Sequence, residues 1–254
     1  CARLPSSRAV IDNRGSWSLG AISLVARRPR GRPARVFSGL PRPPPAAPAL
    51  TPRPAPAQSI MQYNGGCCIA MAGKDCFAIA SDRRFGQQQM TVSCDFSKCF
   101  QINDGLFIGM SGLATDIQTL DERFRFKTKM YELREGRRMK PTTFANVVAS
   151  TLYEKRFGPY FVEPVVVGFQ DGKVYLCSTD LIGAKDEPDD FIVTGTCYES
   201  LLGMAESLWK PGLEKDELFE VVSQTLLSAV DRDCLSGWGA VVHIVTKDEI
   251  ITRT

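Results

Sequence analysis

Strand-type and helix-type segments follow one another in pairs from about residue 59 onward. Short apolar runs at Cys67–Ala72 and Cys76–Asp82 flank Gly73–Asp75, a turn sequence that is typical of a β-hairpin. A second pair of apolar runs flanks Asp104-Gly105 in the same way. Two helical segments follow, then further strands, two more helices and a final hairpin. Hairpins that alternate with pairs of helices predict an α/β fold in which helices cover both outer faces of two stacked sheets, a four-layer sandwich.

The helical segments are indicated by apolar residues at helical spacing and by residues that begin or end a helix. The first segment ends at Gly136, the second begins at Pro141, and the third ends before Pro211. Single strands do not alternate with single helices, as they would in a parallel sheet. No glycine-rich phosphate-binding sequence follows a strand, so nucleotide binding is disfavoured.

Residues 1–58 differ in composition from the rest of the chain. They hold 11 of the 16 prolines and ten arginines against a single acid, Asp12. Proline fixes φ and lacks an N–H donor, so this stretch predicts a polyproline-like extension without regular structure. Its arginine-rich, acid-poor composition is also that of a mitochondrial transit peptide, but the proline density disfavours the amphipathic helix of such a peptide. We therefore expect a disordered or artefactual extension at 1–58 and one folded domain at 59–254.

Charge and cysteine spacing exclude several classes of function. The extension has a net charge of +9, whereas the folded part has 21 basic and 27 acidic residues and a net charge of −6. This mildly acidic body has no nucleic-acid footprint. Its apolar runs are far shorter than the roughly 18 residues of a membrane span. The nine cysteines show no CxxC spacing, as expected for reduced core thiols in a cytosolic protein.

Three segments of the folded part resemble the N-terminal-nucleophile hydrolases, and within them the beta subunits of the proteasome core. Phe77–Arg84 resembles the second strand of that family and the turn after it, and Ile108–Asp116 resembles the next strand-to-helix junction. Asp231–Gly237 resembles the late loop beneath the active site. Tyr153–Tyr160 and Ser207–Trp209 bring the chain closest to a non-catalytic beta member. The resemblance covers nearly all of the folded part and implies a four-layer αββα sandwich.

The resemblance also implies where a nucleophile would stand. Active members attack the scissile carbonyl with the hydroxyl of a mature N-terminal threonine, supported by an aspartate and a lysine at equal spacings along the chain. Asp82 and Lys98 are 16 residues apart here, and the same interval counted back from Asp82 reaches Gly66. Because glycine has no hydroxyl, the chain is expected neither to attack a substrate nor to cleave its own leader. Gly112 would contribute only the main-chain amide of a vestigial oxyanion hole.

Three further positions are interpreted through the same resemblance. Asp233 and Ser236 correspond to the late loop, and we expect them to hydrogen-bond within that loop. A magnesium ion near the loop is implied by analogy only, and we expect no metal and no cofactor. Asp180 lies in a segment that resembles the loop presented to the substrate pocket of a neighbouring active subunit. An acid there would favour basic substrate side chains, although an ordinary acid in a surface loop is the alternative.

Cys67 is an alternative nucleophile, because some members of the superfamily use an N-terminal cysteine. It stands 15 residues before Asp82, one fewer than the expected interval. A slip of one residue along a strand turns the side chain to the opposite face, so Cys67 is expected to point away from Lys98. A self-standing hydrolase cleaved between Gly66 and Cys67 is therefore the first alternative, and an unrelated binding protein is the second.

The resemblance thus implies a non-catalytic, structural beta subunit of the proteasome core particle. Such a subunit would complete the beta ring for ATP-dependent, ubiquitin-linked protein degradation. The expected partners are other alpha and beta subunits in a stacked four-ring particle, with neither nucleic acid nor a membrane. The expected location is the cytoplasm and the nucleus.

Overall fold

The computed structural model describes residues 59–254. The extension predicted at residues 1–58 lies outside the described residues, so the division of the chain at residue 58 stays a prediction. The strands are β1 (Cys67–Ala72), β2 (Cys76–Asp82), β3 (Phe85–Gln87), β4 (Met90–Ser93), β5 (Cys99–Asn103), β6 (Leu106–Gly112), β7 (Val162–Gln170), β8 (Lys173–Thr179), β9 (Lys185–Asp186), β10 (Phe191–Gly195), β11 (Ala240–Thr246) and β12 (Ile250–Arg253). The helices are α1 (Ala114–Glu135), α2 (Pro141–Glu154), α3 (Tyr198–Leu208) and α4 (Lys215–Val230), preceded by a short 3₁₀ helix (Ile60–Gln62).

The strands form two five-stranded sheets and one small hairpin. The first sheet has the order β10-β1-β2-β11-β12, and the second has the order β5-β6-β7-β8-β9. All strand pairs in both sheets are antiparallel. The strands β3 and β4 pair only with each other among the described strands. The predicted α/β class with antiparallel sheets is therefore confirmed.

Apolar side chains of neighbouring residues in β1 enter different core clusters. Cys68 and Ala70 pack with Phe107 and Val165 of the second sheet. Cys67, Ile69 and Met71 instead pack with apolar residues of α3 and α4. Both faces of β1 are therefore covered, which explains why a strand with no polar residue is stable there. A third cluster joins the second sheet to α1 and α2.

The first two predicted hairpins agree with the structure residue by residue, because their turns and apolar runs are unambiguous. Gly136 ends α1 in the left-handed conformation, with φ of 66°, and Pro141 begins α2. The β3–β4 hairpin was not predicted. Its turn contains Gln88 at φ of 55°, and glutamine gives no turn signal.

No helix among residues 59–254 combines the length and the apolar character that a membrane crossing requires.

Candidate functional site

Asp82 and Lys98 form a buried ion pair at the end of β2. Lys98 Nζ lies 2.9 Å from Asp82 Oδ1, and both side chains are almost fully buried. The ammonium also donates to the main-chain carbonyls of Arg84, at 2.8 Å, and of Asp82, at 3.3 Å. Asp82 accepts main-chain N–H groups from Cys67, Arg84 and Gly237. Neither charge is left without partners, which is the condition for a stable buried pair.

Gly66 lies next to this ion pair, and a side chain at position 66 would point toward the pair. A Cβ added to Gly66 would lie 2.3 Å from Lys98 Cε, 2.9 Å from Lys98 Nζ and 3.0 Å from Asp82 Oδ1. Its φ of 116° is also a conformation that favours glycine. The structure therefore brings Gly66, Asp82 and Lys98 together.

Cys67 lies on the other side of the strand. Its buried side chain belongs to the cluster packed under α3 and α4, and only its main-chain N–H reaches Asp82, at 2.9 Å. A hydrogen bond with Cys197, burial and the charge of Asp82 together raise the pKa of the Cys67 thiol well above its ordinary value. A nucleophilic cysteine needs the opposite, a lowered pKa and access to substrate. The geometry therefore disfavours the cysteine alternative.

Asp233 and Ser236 meet Thr196, a residue that the sequence analysis missed. Asp233 Oδ2 accepts from Thr196 Oγ1 at 2.5 Å and from Ser236 Oγ at 2.6 Å. The main-chain N–H of Thr196 donates to the carbonyl of Gly66 at 3.0 Å. Gly195 permits this approach, since a Cβ there would lie 2.2 Å from that same carbonyl oxygen. The late loop therefore holds the main chain at position 66 through Thr196.

The magnesium ion implied by analogy would lie near Asp233 in the late loop. Both carboxylate oxygens of Asp233 already accept hydrogen bonds, Oδ1 from Leu235 N–H and Oδ2 from two hydroxyls. Within residues 59–254, no group of three or more histidine, cysteine or acidic side chains is placed to hold a metal ion. The carboxylate of Asp233 is thus engaged in hydrogen bonds with Thr196, Leu235 and Ser236.

Gly112 ends β6, and Asp180 directly follows the end of β8. Gly112 ends β6 with φ of 126°, and a Cβ there would lie 2.2 Å from the carbonyl oxygen of Phe161. Asp180 lies in the loop between β8 and β9, where its Oδ1 accepts from Ile182 N–H at 3.0 Å and Ala184 N–H at 2.7 Å. None of its hydrogen bonds involves the ion pair, so Asp180 forms a separate candidate site.

Gly66 itself offers no side chain that could react next to the Asp82–Lys98 pair. The ammonium of Lys98 contacts three oxygens, and Gly66, which lies next to that ammonium, carries no hydroxyl or thiol. Nucleophilic catalysis requires a side chain that forms a covalent bond with the substrate, activated by a neighbouring base. The Asp82–Lys98 pair therefore fixes the end of β2 against β1.

Comparison with known proteins identifies the family of the chain. The family described as "Proteasome subunit" matches residues 62–245. The proteasome subunit beta type-3 of Picea mariana is 56% identical over 197 residues, which cover 77% of this chain and 97% of the relative. The subunit of the same name from Drosophila melanogaster is 54% identical over 198 residues, with the same coverage of both chains. A probable proteasome subunit beta type-3 of Schizosaccharomyces pombe is 56% identical over 196 residues, which cover 77% of this chain and 96% of the relative. The family match covers well over half of the chain, and the chain belongs to the proteasome subunit family.

Proposed function

We propose that the chain is a non-catalytic, structural beta subunit of the proteasome core particle. The observation that carries this proposal is the glycine at position 66, whose Cβ direction meets the buried Asp82–Lys98 pair. The support for a nucleophile is present, and the nucleophile is absent. The relatives from spruce, fly and yeast share the name of one beta subunit type, which supports the same assignment.

The fold supports a role in the wall of a larger particle. The three core clusters favour the four-layer αββα sandwich of the N-terminal-nucleophile hydrolases, with α3 and α4 on one sheet and α1 and α2 on the other. In the proposed particle, rings of unlike beta subunits stack between alpha rings in the cytoplasm and the nucleus. Threonine-protease activity in ATP-dependent, ubiquitin-linked degradation then belongs to the particle and not to this chain.

The native mass of the chain in a cell extract tests the assembly. The chain alone has a mass of 28.0 kDa. We expect it to migrate in gel filtration with a particle of several hundred kilodaltons and to be depleted from the extract together with proteolytic activity. A stable species with the mass of the single chain would contradict the proposal.

The N-terminus of the purified chain tests the inactive site independently. We expect intact mass and N-terminal sequencing to show that the peptide bond between Gly66 and Cys67 is uncut. Cleavage there would establish the cysteine alternative, which the burial and raised pKa of Cys67 disfavour. A threonine-directed covalent inhibitor should label other chains of the particle and leave this one unmodified.

Asp180 has a proposed role in the substrate pocket of a neighbouring subunit. It lines a cavity of about 420 Å³ together with Glu163 and Asp186. Burial raises the pKa of Glu163, because the charged carboxylate is less well solvated there. Thr179 and Thr194 also line the cavity, and their buried hydroxyls have no hydrogen-bond partner among the described residues. The carboxylates of Asp180 and Asp186 favour a basic substrate side chain.

Replacement of Asp180 by alanine in the assembled particle tests this role. We expect cleavage after basic residues to weaken, while cleavage after apolar residues is unchanged. Asp189→Ala is the matched control, because Asp189 is an exposed acid of the following loop that does not line the cavity. Equal selectivity in both variants would leave Asp180 as an ordinary acid in a surface loop.

A further inference from the structure

Two buried cysteines meet between the two sheets. Cys68 belongs to β1 of the first sheet, and Cys99 belongs to β5 of the second sheet. Their sulfur atoms lie 3.7 Å apart and share a hydrogen bond, although the residues are 31 positions apart in the sequence. Both side chains belong to the apolar cluster that joins the sheets. The core of the domain therefore holds a pair of thiols in direct contact.

Gly109 allows the sulfur of Cys68 to lie against the second sheet. Gly109 is the direct cross-strand partner of Cys99 in the β5–β6 pair. A Cβ at Gly109 would lie 2.3 Å from the sulfur of Cys68, so only glycine leaves the space that this sulfur occupies. A disulfide requires two sulfur atoms about 2 Å apart, so the two thiols need to approach each other by less than about 2 Å.

The two thiols differ in their electrostatic surroundings. The hydrogen bond with Cys68 lowers the pKa of the Cys99 thiol, and the hydroxyl of Ser81 and the charge of Lys98 act in the same direction against burial. The hydrogen bond with Cys99, together with burial, raises the pKa of the Cys68 thiol well above its ordinary value. The thiolate is the reactive form of cysteine, so Cys99 is the member of the pair that is suited to react first.

Cys99 also lies closer to solvent than Cys68. It is 6% exposed, whereas Cys68 is fully buried. Cys99 lines a surface cavity of about 580 Å³ together with Ser97, Gln101 and Arg125. Among the described strands, β5 pairs only with β6, and an edge strand gives up fewer hydrogen bonds than a central strand when it opens locally. A small oxidant therefore reaches Cys99 first, and Cys68 lies behind it.

We propose that Cys68 and Cys99 are an oxidation site, at which hydrogen peroxide converts the two thiols into a disulfide between the sheets. The thiolate of Cys99 attacks one oxygen of the peroxide and the O–O bond breaks, which leaves a sulfenic acid on Cys99. The departing hydroxide takes up the proton that Cys99 had released and forms the first water. The sulfur of Cys68 then attacks the sulfur of Cys99, and the displaced hydroxyl leaves with the Cys68 proton as the second water.

The disulfide would connect the two strands that hold the buried ion pair. Cys68 follows Cys67, whose main-chain N–H binds Asp82, and Cys99 follows Lys98. Oxidation would therefore fasten β1 to β5 beside that pair. Disulfides in reducing compartments are usually transient and redox-sensing, so we expect the bond to form under peroxide and to be reversed by a thiol reductant.

Peptide mapping of the full chain in its purified native assembly tests this proposal. The assembly is treated with hydrogen peroxide, its remaining thiols are alkylated during denaturation, and the chain is digested with trypsin without reduction. Residues 99–123 form one tryptic peptide, in which Cys99 is the only cysteine, whereas Cys67 and Cys68 share the peptide that ends at Lys74. We expect the two peptides to be linked, with a mass two hydrogens below their sum, and to separate again with dithiothreitol.

Cys68→Ala and its matched control Cys67→Ala separate the two faces of β1. Cys67 lies in the same peptide, but its side chain packs under α3 and α4. We expect the link to disappear in Cys68→Ala and to persist in Cys67→Ala. In Cys68→Ala the sulfenic acid on Cys99 has no thiol to react with, so dimedone should label it. If Cys68→Ala does not fold, fragmentation of the linked peptide from the unaltered chain between positions 67 and 68 gives the same assignment.

The exposed thiols of Cys94 and Cys234 set the dose of peroxide, which is raised until both are oxidised. If Cys68 and Cys99 are still fully alkylated at that dose, they are inert core thiols and the proposal is wrong. Oxidation of Cys99 without a link to Cys68, or a link through Cys67, overturns it as well. The thiol pair lies within one chain, so each of these failures leaves the proposed assembly untouched.

Discussion

Asp82 and Asp180 are the same side chain in opposite surroundings. Asp82 is completely buried, and its oxygens accept from Lys98 and from main-chain groups of three residues as distant as Gly237. Asp180 is exposed, and its Oδ1 accepts from two N–H groups within four residues of it. The first carboxylate organises segments from the whole chain, whereas the second closes its own loop.

The two aspartates therefore differ in role, one buried and structural and the other exposed. The buried centre keeps a charged pair whose removal would disturb several elements, so it is stable even where no chemistry takes place. The exposed loop contributes little to the stability of the fold, so its acid, Asp180, can contact a molecule outside the chain without disturbing the fold. Substitutions of equal size should therefore have unequal effects in the two regions.

The largest effect is expected for Asp82→Asn. The change leaves the ammonium of Lys98 buried without a counter-charge, which costs about 3–5 kcal/mol of unfolding free energy. Urea unfolding of the full chain measures this loss. Asp121→Asn is the control, because the pair of Asp121 with Arg125 lies at the surface of α1 and contributes about 1 kcal/mol at most. Similar losses in the two variants would show that burial of the Asp82–Lys98 pair has no special energetic role.

An intermediate effect is expected for Gly66→Ala. The new Cβ would lie 2.3 Å from Lys98 Cε, so either the lysine or the strand must move. Gly136→Ala is the matched control, since Gly136 also has positive φ but no atom within 4 Å of an added Cβ. We expect Gly66→Ala to lower the unfolding free energy by about 1–3 kcal/mol more than Gly136→Ala does. Equal losses of unfolding free energy would mean that Lys98 moves aside without cost and that position 66 tolerates a side chain.

The smallest effect is expected for Asp180→Asn. Asparagine closes the same kind of turn with its side-chain oxygen, so the unfolding free energy should change by less than about 0.5 kcal/mol. The same denaturant measurement as for Asp82→Asn gives a direct comparison between identical substitutions. A loss of several kilocalories per mole would place Asp180 among the structural residues and weaken its proposed role toward a neighbour.

Local sequence patterns predicted most of the fold. The hairpins around Gly73 and Gly105 and the helix boundaries at Gly136 and Pro141 depend on residues close in sequence, and all of them agree with the structure. The β3–β4 hairpin was not predicted, because its turn residue Gln88 adopts positive φ without being glycine, asparagine or aspartate. Hydrogen bonds of Gln88 with Tyr63 and Arg84 help to hold that turn, and the separation of 25 residues from Tyr63 to Gln88 leaves no local signal.

The candidate site was predicted only in part. Counting residues led to Gly66, Asp82 and Lys98, which do meet in the structure. The roles assigned to these positions stay predictions. Thr196 was missed because its contacts with Gly66 and Ser236 are made across 130 and 40 residues of chain. A threonine after the Thr194-Gly195 strand end was its one local sign, and it is too common to be informative.

The sequence by itself determined the element types, the spacing of the charged pair and the absence of a side chain at position 66, because these depend on residue identity and local order. The tertiary structure decided which face of β1 meets Lys98 and where Cys67 is buried. Those outcomes depend on which distant main-chain groups are left without hydrogen bonds once the sheets and helices have packed, and no short stretch of sequence carries that information.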